Sequence, residues 1–563
     1  MNSFHWDLPP AEQDIQIADI ATELELAIPV VQLLYRNGLR TGAEIESFLW
    51  PRLRDLSDPF LLLGMKEAVI RIFQAIDRKE RVVLYGDYDV DGITSLTLLT
   101  RVLHAYGLEA ASFLPMRIEE GYGLSAEGVS RCLGTHRPQL LIALDCGTSS
   151  ATRIVEIESA GVDVLVVDHH EAGGSVPKCR AFINPKTGGH HPYLCTAGLV
   201  FKLCHGLMKM RRLADLDLKD YLDLVAIGTV ADLVPLKDEN RILVHHGLKQ
   251  LERTRWVGLK ALMQTAGITP PVRPDDVGFR LGPRLNAAGR IGAAEAALRL
   301  LLTGNEGEAA ALAVELDQQN RERQQIEQST FDAACRLLES DPEFASHCAI
   351  VVGEPGWHPG VVGIVAARLV REHHRPALVI GFDDQGVGKG SGRSIPGFSL
   401  VQALGGCAGL LSQFGGHEMA AGFSLPMEQL PQFAEAFRTL TKNTLSLDLL
   451  TPRLQIDLRM QGRELNYDFF LAHERLQPFG LGNPQPLLLL ERAESLGDVK
   501  ILKEKHRSFA VRHRGKIFRA VEFNFRTPLP APPWDIAFHL EPAKYGDQIQ
   551  LQLRVAAVRS SNE

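Results

Sequence analysis

Residues 82–92 read VVLYGDYDVDG, a short apolar strand followed by three carboxylates at alternate positions, a glycine and the start of an apolar helix. In an extended segment, side chains at alternate positions leave on one face. We therefore expect Asp87, Asp89 and Asp91 to converge on one point. Like charges held this close need a cation, so the stretch predicts a metal site at the end of a strand.

Two other interpretations of this stretch are weaker. The spacing of its acids also opens the calcium loop of an EF-hand, but the position that must carry a bidentate Glu is Leu98, which cannot ligate calcium. The segment before Asp87 is also strand-like rather than helical. Alternatively, Asp91 only caps the next helix, which would explain one carboxylate and not three.

Length and composition set the class of protein. The 563 residues predict roughly three or four domains. The 45% hydrophobic and 23% charged residues are ordinary for a soluble globular protein. The net charge of −8 does not indicate a nucleic-acid binder, but it does not exclude one, because binding depends on local patches.

Cysteine usage and hydropathy indicate the compartment. Eight cysteines without a C-x-x-C pair predict a reduced, cytoplasmic location. Because the sequence contains no long uncharged apolar run and no signal-like start, we expect neither export nor membrane insertion.

Apolar strands and helices alternate after residue 82, which predicts a mainly parallel sheet. Two further strands are followed by Asp145 and by the triplet Asp168-His169-His170. A helical stretch over 218–233 carries Asp232. Since ligands of open α/β sheets bind at the carboxyl ends of the strands, we expect these side chains at one edge of one sheet.

The remaining chain predicts three further parts. Residues 305–340 are polar with helical spacing of apolar residues, which is typical of a helix that bridges two domains. A second α/β unit follows, with a glycine-rich loop at 386–392. From about residue 449, short β-type runs predict a small barrel or sandwich.

A basic stretch lies in this last part. Between residues 501 and 519, seven Lys or Arg are interleaved with Phe509 and Phe518. Charge with aromatic faces suits a platform for single-stranded nucleic acid, whereas a solvated hairpin with basic edges explains the pattern equally well.

The acids and histidines together predict a metal centre. Each alone is an ordinary turn, cap or surface residue, but carboxylates with imidazole form the ligand set of magnesium or manganese. Cys146 is the one thiol at these positions, which disfavours a cysteine-rich zinc site. The ligands exceed the needs of one ion, so two ions about 3.5–4 Å apart are expected, as in phosphoester and phosphoanhydride hydrolases.

The chain resembles the DHH phosphoesterase superfamily, and within it the branch of single-stranded-DNA-specific exonucleases. Four motifs carry the resemblance in order: Gly86 to Gly92, Asp145-Cys146-Gly147, Asp168-His169-His170, and Gly228 to Pro235. Further matches lie downstream, namely Gly282 to Arg290, Trp357 to Gly363, Ser391 to Ser394, and Phe414 to His417.

The resemblance implies an α/β fold with a DHH parallel-sheet domain, a long connecting helix, a DHHA1 α/β domain and a C-terminal OB-like β-barrel. The boundaries then predicted are 1–60 for an N-terminal helical segment, 61–300 for the DHH domain, 301–342 for the helix, 343–445 for DHHA1 and 446–563 for the OB-like domain.

The resemblance also implies a 5′-to-3′ exonuclease of single-stranded DNA in repair and recombination, which releases 5′-mononucleotides with two Mn²⁺ or Mg²⁺ ions. Its implied metal ligands are Asp87, Asp89, Asp91, Asp145, His169 and Asp232. Its implied catalytic residues are Asp168, His170 and His417, with Asp168 able equally to orient a ligating histidine. Its implied substrate-binding residues are Arg284, Asn286, Arg290, Ser391, Arg393 and His417.

Other functions are less well supported. Related pyrophosphatases have a metal-ligating histidine where this chain has Tyr85. A DHH phosphodiesterase of oligoribonucleotides or cyclic dinucleotides would not need the residues after 449, and a non-enzymatic relative would not keep carboxylates in all four motifs. The expected partners are single-stranded DNA, a helicase and a single-strand binding protein, with no membrane.

Overall fold

A computed structural model describes residues 4–10, 15–116, 123–172, 174, 176–188, 190–291, 294–545 and 548–561. The chain divides into two units. The large unit contains Trp6–Pro283, Ala297–Ala311 and Gln455–Glu563, and the small unit contains Met1–His5, Arg284–Ala296 and Leu312–Leu454.

The N-terminal segment contains β1 (His5–Asp7) and three short helices, α1 (Ile15–Glu23), α2 (Ile28–Arg36) and α3 (Gly42–Leu49). Pro29 lies in the first turn of α2, and Thr41 forms a capping box with Glu44 at the start of α3. Their apolar residues share one core with the C-terminal strands of the large unit. The sequence alone did not predict this shared core.

A five-stranded parallel sheet positions the predicted metal ligands. It consists of β2 (Val82–Gly86), β3 (Ala110–Phe113), β4 (Leu140–Leu144), β5 (Asp163–Val167) and β6 (Ala181–Ile183), in the order β3-β2-β4-β5-β6. All residues of β2 and β4 are buried, so they are apolar on both faces. From β2 the chain first adds β3 on one side and then adds β4, β5 and β6 on the other side. The strand order therefore reverses between β2 and β4, and such sheets bind ligands at this switch point.

Within the described residues, twelve α-helices lie between the N-terminal segment and the long helix. They are α4 (Met65–Arg78), α5 (Val90–Ala105), α6 (Ala126–His136), α7 (Ala151–Ser159), α8 (Pro185–Gly188), α9 (Thr196–Met210), α10 (Leu222–Ala231), α11 (Asp238–Leu251), α12 (Val257–Thr265), α13 (Pro274–Asp276), α14 (Gly282–Ile291) and α15 (Glu295–Leu302). A π-helical turn, Val277–Leu281, joins α13 to α14. The predicted long helix is present as α16 (Glu306–Ser340).

The small unit contains a second sheet, as predicted. Its elements are β7 (Ile350–Pro355), α17 (Pro359–His373), β8 (Ala377–Phe382), β9 (Val387–Arg393), α18 (Leu400–Gly406), β10 (Gln413–Gly416), β11 (Ala420–Pro426) and α19 (Leu430–Thr444). The strand order is β10-β11-β9-β8-β7, and β9 therefore lies in the middle of the sheet.

The prediction of a loop at 386–392 was wrong, because β9 occupies it. Its alternate glycines leave room for large neighbours: a Cβ on Gly390 would lie 2.3 Å from Phe423, and one on Gly388 would lie 2.5 Å from Phe382. The glycines are therefore needed for close packing on one face of a strand and do not form a flexible loop.

The C-terminal part forms a closed barrel. Its elements are β12 (Arg453–Gln455), β13 (Leu458–Arg459), α20 (Tyr467–Glu474), β14 (Leu488–Leu502), β15 (His506–His513), β16 (Lys516–Phe523), β17 (Trp534–Tyr545) and β18 (Gln548–Ser560). The order β14-β15-β16-β18-β17 closes because β17 also pairs with β14. The predicted barrel is confirmed.

The basic stretch of the barrel differs from the prediction in its aromatic residues. Phe509 and Phe518 are 3% and 4% exposed, so both belong to the barrel core and neither can stack on a base. The exposed apolar side chains nearby instead include Ile501, Leu502, Ile517 and Phe523. The sequence pattern identified the basic residues of this stretch, but it could not show which side chains face the barrel core and which face solvent.

Two further expectations concern the whole chain. All eight cysteines, each within the described ranges, are free thiols. Among the described residues, no helix combines the length and hydropathy needed to cross a bilayer.

Candidate metal centre

Three strands of the parallel sheet lead into acids at one edge, as predicted. The backbone N–H of Asp87 donates to the Leu144 carbonyl at 3.2 Å, and that of Asp145 donates to Val167 at 3.0 Å. Asp168, after β5, continues the same ladder to Ile183 at 3.0 Å. These hydrogen bonds fix the position of each aspartate along the strand direction, and so the level at the sheet edge from which its carboxylate reaches the site.

Asp145 is held in an unusual backbone conformation. Its φ of 64° lies in the left-handed region, which costs a residue with a side chain about 1–3 kcal/mol. Such strain persists where surrounding structure requires it, and here it directs a buried carboxylate towards its neighbours.

The opening acids converge by a different route from the one predicted. Helix α5 starts at Val90, so the extended alternation ends at Asp89, and Asp91 reaches the site from the first helical turn. The helix cap is Asp89, which accepts from the Gly92 N–H at 3.0 Å, and not Asp91. The single-face argument was therefore wrong for Asp91, although the acids do meet, and the disfavoured alternative that Asp91 caps the helix is excluded.

Asp91 is oriented by the start of α9. Its two oxygens accept from the backbone N–H groups of Thr196 at 2.7 Å and Ala197 at 2.8 Å. The Thr196 hydroxyl also donates to Asp145 at 3.0 Å. A helix N-terminus favours negative charge, so α9 holds two candidate ligands ready for a cation.

Three overlapping sets of side chains could each hold a cation. In each set, the possible ligand atoms lie within 4.8 Å of one another. The sets are Asp87, Asp89 and Asp145; Asp91, His169 and Asp232; and Asp145, His169 and His170. The first two sets share no residue, so each could hold an ion of its own.

His169 lies between the acids. Its Nε2 atom is 3.3 Å from Asp232, 3.4 Å from Asp145 and 3.8 Å from Asp91. This Nε2 atom and the Asp232 Oδ2 atom are buried without a hydrogen-bond partner among the described residues. Buried polar atoms are normally paired, so this geometry fits a site completed by a cation.

Asp168 belongs to none of the three ligand sets found among the described residues and instead accepts hydrogen bonds from its neighbours. It accepts from the Thr148 N–H at 2.9 Å, the His169 N–H at 2.7 Å and His170 Nδ1 at 2.8 Å. Asn184 extends the network by donating to Thr148 at 3.0 Å. The arrangement orients the His170 ring and holds the backbone of His169.

The electrostatics also favour a cation. Burial and the charge of Asp89 raise the pKa of Asp91 to about 6. Burial and the charges of Asp91 and Asp89 raise the pKa of Asp232 to about 9 and that of Asp145 well above its usual range. These carboxylates repel one another in a dry site, and divalent cations would offset that repulsion.

Asp168 and the histidines differ from these acids. Burial would raise the pKa of Asp168, but hydrogen bonds from His170 and Thr148 and the charge of His170 hold it below its ordinary range. Burial and the charge of His170 lower the pKa of His169 to about 3, so its ring is neutral, the form that ligates metals. Burial lowers the pKa of His170, but Asp168 raises it further.

Sequence reasoning missed Thr148, Asn184 and Thr196. One signal was present for Thr196, a small polar residue that opens a long apolar helix. Thr148 and Asn184 act through their position in the fold, and a single sequence offers no pattern that identifies them.

The loop after Asp232 is held by the C-terminal part of the large unit. The Leu236 N–H donates to the Leu481 carbonyl at 2.7 Å. A Cβ on Gly480 would lie 2.7 Å from the Leu236 side chain, so the two segments are in close contact. Arg241, at the start of α11, donates to the carbonyls of Leu476 at 3.0 Å, Arg475 at 3.1 Å and Gln477 at 2.8 Å.

The predicted phosphate-binding residues lie in the small unit. Arg393 donates to the Ser391 hydroxyl at 3.1 Å, and a Cβ on Gly363 would lie 2.9 Å from that hydroxyl. Arg290 donates to the Gly360 carbonyl at 3.1 Å. Helix α17, which carries both glycines, thus brings these three polar residues together.

The other small-unit residues are placed separately. Arg284 forms an ion pair with Asp317, with nitrogen–oxygen distances of 2.8 and 2.9 Å. His417 is exposed after β10, and Asn286 is half-buried in α14. No described hydrogen bond joins either of these two residues to the cluster beside α17.

Three domain families match parts of the chain. The DHH family N-terminal domain matches residues 81–229, the DHHA1 domain matches 346–443, and the RecJ OB domain matches 456–557. Together they cover the parallel sheet, the second sheet and the barrel.

Relatives and solved structures extend this similarity. The single-stranded-DNA-specific exonuclease RecJ of Bacillus subtilis is 38% identical over 93% of this chain, which spans 66% of that relative. The protein of the same name from Salmonella typhimurium is 35% identical, with 86% of this chain and 89% of the relative covered. Thermus thermophilus RecJ in complex with Mn²⁺ superposes with a TM-score of 0.85 at 31% identity, covering 99% of this chain and 80% of that chain. The same protein with Mg²⁺ gives a TM-score of 0.79 at 30% identity, covering 99% and 78%.

Proposed function

This chain belongs to the RecJ family of single-stranded-DNA-specific exonucleases, and on that premise we propose that it degrades single-stranded DNA from the 5′ end and releases 5′-mononucleotides. It is a metal-dependent phosphodiester hydrolase whose cofactor is Mn²⁺ or Mg²⁺, the ions bound in the solved relatives. DNA repair and recombination are the processes that such an activity serves.

One observation carries this proposal, the two separate ligand sets at one edge of the parallel sheet. Asp87, Asp89 and Asp145 would hold one ion, and Asp91, His169 and Asp232 would hold the other. When bound, two such ions lower the pKa of water and neutralise the phosphate oxygens of the substrate.

The chain's own residues supply the remaining parts of the reaction. Asp168 orients the His170 ring through Nδ1, and the raised pKa of His170 suits it to give a proton to the leaving oxygen. Arg393, Arg290 and Ser391 would bind phosphate oxygens, a role that suits the guanidinium fork. Arg284 and Asn286 would bind the strand, and the exposed His417 would contact the scissile phosphate.

The biological setting follows from the substrate. A strand-specific exonuclease needs an unpaired end, so we propose that it works with a helicase, alongside a single-strand binding protein, in the cytoplasm. We also propose that the chain consists of the five segments predicted from the sequence, with boundaries at residues 60, 300, 342 and 445.

The test uses single-stranded DNA labelled at either end, with Mn²⁺, Mg²⁺ or EDTA. The 5′ label is expected to leave first, as a mononucleotide, only with metal. Asp89→Asn is the variant to test, because asparagine caps α5 as well as aspartate does but carries no charge. It is expected to abolish release, whereas the exposed Asp384→Asn should leave activity unchanged.

Three outcomes would overturn the proposal. Metal-independent release, or release that starts from the 3′ label, contradicts a 5′ exonuclease with this centre. Cleavage confined to dinucleotides or cyclic dinucleotides would assign the chain to small-substrate phosphodiesterases instead.

A further inference from the structure

Two large apolar side chains are exposed on segments that adjoin the end of α10, next to which the candidate ligand Asp232 lies. Phe279 is 76% exposed and Leu233, the residue after Asp232, is 70% exposed. A single exposed apolar side chain is ordinary on a protein surface. The rigid support of Phe279 and its place beside the metal centre distinguish this pair.

The backbone around Phe279 is fixed. The ring belongs to the π-helical turn Val277–Leu281, whose two terminal side chains are fully buried. Arg280 donates to Asp276 at 2.9 Å and to the carbonyls of Ala266 and Gly267, each at 2.6 Å. π-Helical turns occur frequently at functional sites, and this one presents an aromatic ring to solvent from a rigid support.

The turn packs against the end of α10. A Cβ on Gly278 would lie 4.0 Å from Val230, and a Cβ on Gly282 would lie 3.5 Å from Ala231. Ala231 directly precedes Asp232, and Leu233 follows it with a φ of 58°. The exposed ring and the exposed Leu233 therefore adjoin the same helix end that carries a candidate metal ligand.

We propose that Phe279, together with the exposed Leu233, binds the base of an unpaired nucleotide next to the metal centre, with the base stacked on the Phe279 ring. The inference rests on the proposed function and adds a base-binding residue to it. Every nucleobase has a π face, so stacking on Phe279 accepts any sequence. In a duplex that face is covered by neighbouring base pairs, so the contact also favours a single strand.

The contact predicts the size of the effect. Base–aromatic stacking changes affinity by about 5- to 150-fold per base when the aromatic residue is replaced by alanine. Because the ring does not touch the reacting atoms, the loss belongs in KM and not in kcat.

The experiment combines a protein change with a substrate change. Phe279→Ala is compared with Phe279→Trp and with Tyr467→Ala, a control at an aromatic residue of α20 that is 54% exposed. Each is assayed on single-stranded DNA with normal bases and on the same strand with abasic nucleotides at its 5′ end. Exposure of Phe279 means that the variants should fold, and unchanged Mn²⁺ stabilisation of each variant checks the metal centre.

The expected result is a higher KM for Phe279→Ala on normal DNA, a KM near the original for Phe279→Trp, and no change for Tyr467→Ala. On the abasic strand, the unmodified chain should lose the same factor, and Phe279→Ala should lose nothing further. Equal losses on both strands, unchanged kinetics on normal DNA, or weaker Mn²⁺ stabilisation of Phe279→Ala would overturn the inference.

Binding in EDTA separates this inference from the proposed function. Fluorescence anisotropy reports the affinity for labelled normal and abasic strands without turnover. A chain that lacks nuclease activity, yet prefers the normal strand through Phe279, would retain the inference and refute the exonuclease. A chain that degrades single-stranded DNA but binds normal and abasic strands equally would support the exonuclease and refute the inference about Phe279.

Discussion

Asp232→Asn should stabilise the metal-free protein while weakening its stabilisation by Mn²⁺. The carboxylate is surrounded by Asp91, Asp89 and buried surface, which together raise its pKa to about 9. Without a cation, a folded chain at neutral pH must therefore either protonate this group or keep a repelled charge. Asparagine has nearly the same shape and avoids both costs.

The magnitude follows from linkage. The pKa rises on folding from 3.8 to about 9, so the group's stabilising contribution is complete below pH 3.8 and is lost as the pH rises towards 9. At about pH 7 the group is still protonated in the folded chain, and holding that proton costs about 4 kcal/mol at 1.36 kcal/mol per pH unit. Because neighbouring acids share the effect, we expect Asp232→Asn to raise the free energy of unfolding by about 2–4 kcal/mol.

Urea unfolding at neutral pH measures this change, in EDTA and then with saturating Mn²⁺. The variant should be more stable than the original chain in EDTA, and Mn²⁺ should stabilise it less. Asp384→Asn, at an exposed acid, should match the original chain in both conditions. If Asp232→Asn proves less stable in EDTA, the reasoning about repelling carboxylates is refuted.

Three further predictions test other parts of the structure. His473 is fully buried with a pKa lowered to about 4 by burial and the charges of His539 and Arg273, so its contribution is complete above pH 6.5 and is lost towards pH 4. His473→Leu should therefore lose about 2 kcal/mol less than the original chain when urea unfolding is repeated at about pH 4.5 instead of pH 7, and equal losses would contradict this. Gly480→Ala places a methyl group 2.7 Å from Leu236 and should weaken Mn²⁺ binding, measured by calorimetry, because it displaces the loop after Asp232. Leu236→Ala in the same chain should restore part of that affinity, while Gly134→Ala, whose Cβ would meet nothing within 4 Å, is the control. Gly390→Ala should lower the free energy of unfolding by about 1–3 kcal/mol, because its methyl group would lie 2.3 Å from Phe423, and an unchanged value would contradict the packing described for β9.

The sequence predicted the site where local pattern and topology agree. An apolar run followed by Asp, repeated at Asp87, Asp145 and Asp168, is sufficient because parallel strands end at one edge of a sheet. The short strands of the C-terminal part and the long helix α16 followed from periodicity, whereas the choice of a barrel over a sandwich came from the family resemblance. In each case, neighbouring residues carry the signal.

The failures occurred where distant residues decide the structure. The glycines of β9 look like a loop until the large side chains facing Gly388 and Gly390 are known. Phe509 and Phe518 could not be assigned to the core without the register of their strands. Asp91 joined the site through the start of α9, about 100 residues away, which no local pattern could reveal.

The contact between Leu236 and Leu481 has a consequence for the newly made protein. Translation proceeds from the N-terminus, and the hydrogen bond that secures the loop after Asp232 needs a carbonyl about 250 positions later. A ribosome-bound chain that has exposed every candidate ligand from Asp87 to Asp232 therefore still lacks this support. At roughly 5–20 residues per second, the delay is about 10–50 s. We expect the metal centre to become fully competent only after the segment that carries Leu481 has been made, which limits damage to nearby single-stranded DNA by shorter, ribosome-bound chains.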